Sequence, residues 1–225
     1  MTLRPSIPRT QHRGHVLVTP PASEPVTANE LRAQLAETET GLPDAQADAL
    51  IAEARELIEQ MTGIAFIAQT WKLALDRWPA GQELWWDGVR QMAISEIYAP
   101  NSLRAVDLPR YPLSAIEGVT VYDEAGNAET VNVAATFDVD LFRRPGRLVL
   151  KRGATWPVAL RAANAIEIEY TAGYGVNASL VPATLKRAVK QVASYLHAHY
   201  GDECQPEDAL GAARGLLDAY AVKRL

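Results

Sequence analysis

Apolar spacing changes period twice along this chain, and that double switch constrains the fold more than any other feature. Ala47, Leu50, Ile51, Ala54, Leu57, Ile58 and Met61 recur at intervals of three and four, the repeat of one helix face. From Thr70 the period falls to two. Trp71, Leu73 and Leu75 alternate with Lys72, Ala74 and Asp76, as a half-buried strand requires. The same alternation marks Ile166, Ile168 and Tyr170. Helical spacing then returns at Leu185, Ala188, Val189, Val192, Leu196 and Tyr200. The pattern predicts an α+β fold: a helical core drawn from both chain ends, with an inserted, mainly antiparallel β segment over about residues 64–175.

Local signals bound the elements. Thr27 and Glu30 form a Thr-x-x-Glu capping box ahead of Leu31 and Leu35, predicting a helix from Thr27 to Ala36. Pro43 and Asp44 open the long helix and Gly63 stops it. Glu53, Arg55, Glu56 and Glu59 are assigned to its wet side. Val119 to Tyr122 and Val131 to Val133 flank Asp123, Gly126 and Asn127, a hairpin signal because those turn residues accept left-handed backbone. Pro109 and Pro112 favour extended backbone at Leu108 and Tyr111. Phe137, Val139 and Leu141 alternate with Asp138 and Asp140; Arg143-Arg144-Pro145-Gly146 turns the chain, and Leu148 and Leu150 return. Glu207 to about Ala219 reads as a last helix, with Leu210, Ala213, Leu217 and Tyr220 on one face. The strands number roughly five to eight on this reading.

Met1 to Ser23 holds Arg4, Arg9, Arg13, four prolines and no acidic residue. It buries too little to fold alone. It reads as a disordered tail in a lone chain, or as an arm that orders on a neighbouring subunit, with Val16, Leu17 and Val18 adding a strand there. The expected organisation is an arm (1–23), one α+β domain (24–219) and a short tail (220–225).

A search for chemistry returns little. His197 and His199 stand about 200° apart around a helix, so they do not share a metal. Cys204 is the single cysteine, which excludes an intrachain disulfide. There is no nucleophile elbow, no phosphate-binding glycine loop and no His-Glu-x-x-His. Asp138, Asp140 and Glu167 are the carboxylates a hydrolase would need, and alternation on a wet face explains them as well. The basic group Arg143, Arg144, Arg147, Lys151 and Arg152 has three readings: contact with nucleic-acid phosphate, or, favoured over it, a solvated hairpin end or a contact for an acidic neighbour. Lys186, Arg187 and Lys190 have the same readings. Trp85 and Trp86 could stack on a sugar or base; core packing or burial between subunits is the favoured reading. A net charge of −5 over 225 residues gives no general pull toward nucleic acid. No apolar run approaches the roughly 20 residues of a membrane helix, and no signal-peptide core opens the chain. Folding in the cytoplasm is therefore expected.

Several stretches, in order, resemble a known family. They are Thr19-Pro-Pro-Ala-Ser-Glu-Pro-Val-Thr, then Asp48-Ala-Leu-Ile-Ala-Glu-Ala-Arg-Glu-Leu-Ile-Glu-Gln-Met-Thr-Gly, then Gln69-Thr-Trp. Leu108-Pro-Arg-Tyr-Pro-Leu follows, then Tyr170-Thr-Ala-Gly-Tyr-Gly, Val181-Pro, and Leu216-Leu-x-x-Tyr-x-Val-x-Arg-Leu225. Together they resemble the head–tail connector (adaptor) proteins of tailed phages and gene transfer agents, over roughly Pro20 to Leu225. Met1 to His15 and the Trp85–Trp86 excursion have no counterpart. The resemblance implies a ring of copies, about twelve, beneath the portal protein. It implies a platform for the next neck or tail protein and a passive conduit for DNA, with no enzyme activity, cofactor or membrane. It maps Tyr220, Val222, Lys223, Arg224 and Leu225 onto the portal contact, and it leaves a neck or tail-completion protein below the adaptor as the alternative.

Overall fold

A computed structural model describes residues 13–38, 41–79, 105–200, 206–218 and 220. Their helix (34%) and antiparallel sheet (27%) make the class α+β. The chain forms two compact units. The first comprises Met1–Val18, Thr70–Leu108 and Ala115–Tyr170; the second comprises Thr19–Gln69, Pro109–Ser114 and Thr171–Leu225.

The second unit holds the helical core. Helix α1 (Ala28–Leu35) begins where the capping box places it: Thr27 Oγ1 accepts the Glu30 N–H at 3.2 Å, and Glu30 accepts the Thr27 N–H at 2.8 Å. That N–H holds the Glu30 carboxyl below its usual value, and Lys186 and Lys190 add to the effect. Because the shift is downward, the contribution is present above the ordinary Glu range and lost as pH falls through the lowered value. Thr27→Ala should lower unfolding free energy by about 1 kcal/mol in a urea titration. Helix α2 (Asp44–Thr62) buries Ala47, Leu50, Ile51, Ala54 and Ile58 and ends at Gly63 in left-handed backbone, φ 79°. It packs against α4 (Ala183–Ala198). The short helices α5 (Pro206–Gly211) and α6 (Arg214–Leu217) also pack on α4. Leu31, Ile51, Ile58, Leu185, Val189 and Leu217 meet in one buried cluster, so helices from both ends of the chain share a core.

Met61 and Tyr200 follow the helical repeat but are exposed: Met61 lies on the half-buried Leu57 margin of its stripe while Ile58 and Thr62 in the same turn are buried, and Tyr200 lies past the end of its helix. Arg55 and Glu59, assigned to the wet side, are instead buried at 6% and 4% exposure, because they pair with each other across one turn and with Glu24 and the Phe66 N–H outside the helix.

The first unit is built from sheet. Eight strands are described: β1 (Arg13–Thr19), β2 (Gln69–Leu75), β3 (Ala105–Asp107), β4 (Leu113–Tyr122), β5 (Ala128–Thr130), β6 (Phe137–Asp140), β7 (Arg147–Leu150) and β8 (Ile166–Ala172). One sheet runs β1-β2-β8-β4-β5 and the other β3-β7-β6. Trp71, Leu73, Leu75, Ile166, Ile168 and Tyr170 are buried at alternate positions of β2 and β8, as their spacing predicts. The Asp123–Asn127 turn also forms, but its return strand is Ala128–Thr130, pairing Thr120 with Thr130 and Tyr122 with Ala128. Val133 instead opens a one-turn helix, α3 (Val133–Thr136), because the Asn132 side chain accepts the Ala135 N–H at 3.0 Å. In β6 only Phe137 is buried; Val139 and Leu141 are exposed. Phe137 packs with Trp78 and Trp156, whose rings stack at 4.7 Å, and Trp78 donates to the Pro157 carbonyl at 2.7 Å. The loop tryptophan therefore completes a core that alternation alone does not reveal.

Candidate functional site

The carboxylates that a hydrolase would use each lie beside a basic side chain. Asp140 accepts from Arg147 at 2.9 Å, and this bond holds its carboxyl below the usual range. Asp138 stands 3.8 Å from Lys151. Glu167 lies 3.1 Å from Lys72 and 3.8 Å from Arg161. His199 stacks on Tyr195, with Nδ1 2.9 Å from the Tyr195 carbonyl. Among the described residues, no group of three or more His, Cys, Asp or Glu is placed to hold a metal ion, and no helix is long and apolar enough to cross a membrane.

The polar arrangement that does stand out organises the end of α2. Arg55 donates to Glu24 at 2.8 Å, Glu59 at 3.0 Å and Glu56 at 3.3 Å. The second Glu59 oxygen accepts the Phe66 N–H at 2.9 Å and the Gln69 amide at 2.8 Å. Phe66 is fully buried, so its N–H needs an acceptor. Burial pushes the Glu59 carboxyl above its ordinary value, against the pull of the Phe66 N–H, Arg55, Gln69 and Arg110. Burial works to lower the Arg55 value, but Glu24, Glu59 and Glu56 outweigh it, and Arg55 stays charged. Arg110 donates to the Glu59 carbonyl.

Tyr111 carries this order to the chain terminus. Its hydroxyl donates to the Thr62 carbonyl at 2.6 Å, and it lies 3.2 Å from the carbonyl of Tyr220. Tyr220 is half-buried against the helical core and donates its N–H to Leu217 at 2.9 Å. Tyr220, the first residue assigned to the portal contact, is thus tethered to the end of α2. Val222, Lys223, Arg224 and Leu225 lie outside the described residues, as do Trp85 and Trp86. Tyr111→Phe should cost about 1 kcal/mol and speed hydrogen exchange at the Tyr220 amide, read by NMR.

Val16, Leu17 and Val18 are exposed on β1, which occupies a sheet edge beside β2 of its own chain. His15 explains that placement. Its ring stacks on Trp71 at 4.5 Å, and Nε2 hydrogen-bonds the Tyr170 hydroxyl at 2.8 Å. The other edge of an outermost strand remains a template for a further strand.

Sequence reasoning passed over Phe142. It is 99% exposed at the β6–β7 turn. Its signal was a large apolar residue placed directly against a turn cluster, where burial is least available.

No protein-family model matches the chain, and no curated protein does. Solved structures do. A chain in the neck of an empty gene transfer agent (GTA) particle, computed with C6 symmetry, superposes with a TM-score of 0.71 at 22% identity, covering 94% of this chain and 97% of that one. A chain of the virion of a native GTA particle gives 0.69 at 22% identity, covering 94% and 96%. A chain in the neck of a native GTA particle, computed with C12 symmetry, gives 0.65 at 24% identity, covering 95% and 97%. The chain therefore has, over nearly its whole length, the fold of chains found in GTA particles and their necks, in agreement with the connector resemblance in its sequence.

Proposed function

We propose that the chain is a structural head-to-tail adaptor. Copies form a ring beneath the portal of a phage or phage-like particle, join capsid to tail and form part of the DNA conduit. The observation that carries this reading is the end-to-end fold agreement with GTA neck chains. A ring of twelve fits both the sixfold and the twelvefold neck structures, since twelvefold symmetry contains sixfold. The tail, Tyr220 with Val222 to Leu225, faces the portal; the opposite side receives the next neck or tail protein. Val16, Leu17 and Val18, with Trp85 and Trp86, lie between subunits. A net-acidic subunit does not grip phosphate, which suits DNA that slides through. The protein works in the particle neck, after assembly in the bacterial cytoplasm, without catalysis or cofactor. Deleting the gene should give filled heads without tails in electron micrographs; normally tailed particles would refute the role.

The alternative reading is a neck or tail-completion protein that binds below the adaptor. Removing residues 220–225 separates the two. The adaptor reading expects portal binding to fall at least about 100-fold, since the loss removes several anchor contacts. Unchanged portal binding, measured by co-sedimentation, would favour the lower position.

A further inference from the structure

Phe142 is presented by a stiff turn. Asp140 accepts the N–H groups of Phe142 and Arg143 at 3.2 and 3.3 Å while it pairs with Arg147. Arg143 and Arg144 follow, both exposed. A rigid aromatic anchor gives most of its binding energy when it is desolvated in a pocket. Two guanidinium groups beside it select a pocket with an acidic rim.

The first unit carries such a pocket on a different patch. It holds about 310 Å³ and is lined by Val121, Ala128, Val158 and Leu160, with Asp123 and Glu129 among them. That is near the small end of the roughly 300–1,000 Å³ of ligand pockets, a size for one aromatic side chain. Val158 and Leu160 are 69% and 60% exposed, so a seated side chain would cover apolar surface that now faces water. Asp123 accepts the Asn127 N–H and side-chain amide, both at 2.8 Å, which keeps its negative charge in place at the rim.

We propose that Phe142 of one copy seats in the Val158–Leu160 pocket of the next copy, with Arg143 and Arg144 against Glu129 and Asp123. Knob and socket are separate patches of one chain, so the contact repeats head-to-tail, the kind that builds a ring where its rotation closes. The inference rests on the ring-forming reading above and supplies its contact.

The test uses the full chain with Cys204→Ser, then Phe142→Cys and Val158→Cys together, assembled with the portal protein and oxidised. A ladder of covalent multimers is expected on non-reducing gels, and neither single variant should give one. Phe142→Ser should weaken subunit association roughly 10- to 30-fold while leaving the melting temperature of the lone protein unchanged. A ring of full mass with no bond between positions 142 and 158 overturns the contact and leaves the ring standing. Capture of the position-142 thiol by the portal or another neck protein does the same. Absence of any ring overturns both.

Discussion

Glu59→Ala should lower the unfolding free energy by about 3–5 kcal/mol, because it strands buried charge and buried donors together. Arg55 would keep only Glu24, which is half-exposed, and the exposed Glu56. The Phe66 N–H and the Gln69 amide would lose their acceptor. Glu59→Gln keeps an oxygen for those two donors and removes the charge, so about 1–3 kcal/mol is expected. Replacing both members, Arg55→Met with Glu59→Leu, should cost less than the two single changes summed, since no unpaired charge remains. Urea titrations at neutral pH read all three. A pH series adds a sign. Burial raises the Glu59 value in the folded state, so the folded form binds the proton more tightly than the unfolded chain. Its contribution is full below the ordinary Glu range and declines as pH rises through the raised value. Glu59→Gln should flatten that decline.

Gly173→Ala should be as severe, at about 4 kcal/mol or more, by a different mechanism. Gly173 follows β8 with φ 139°, a region closed to side chains. An added Cβ would lie 2.6 Å from the carbonyl carbon and oxygen of Ile67 and 2.7 Å from the Ala68 nitrogen. Those are backbone atoms with no rotamer to change. The Gly173 N–H donates to Pro112 at 2.9 Å, so the segment cannot withdraw without breaking that bond. Loss of soluble protein, or a collapsed thermal midpoint, is expected. Gly118→Ala is the control: nothing lies within 4 Å of its added carbon, and a change within about 0.5 kcal/mol is expected.

These two positions also show what a sequence can and cannot tell. The capping box at Thr27 and the alternation at Trp71–Leu75 and Ile166–Tyr170 are local, and each appears in the structure where the residues place it. Charge alone assigns Arg55 and Glu59 to the wet side, and position overrides it. Ala47, Ile51, Arg55 and Glu59 step by four along one row of the helix, the row that faces the core, so spacing alone pointed inward. The acceptor that Phe66 needs is seven residues from its donor and could not be paired by periodicity. Strand order is non-local in the same way. Nothing in β1 or β8 says that β2 lies between them. At the candidate site, Tyr220 stood out from its motif, but its tether to Tyr111 spans more than a hundred residues. Phe142 carries no periodic signal at all. Its isolation in space is what marks it.

The proposed adaptor acts by assembling, through its shape. The decisive measurement is the mass of the purified protein, taken alone and then with the portal protein. A portal-bound ring of about twelve copies is the predicted result. A protein that remains single beside the portal at micromolar concentration would contradict it.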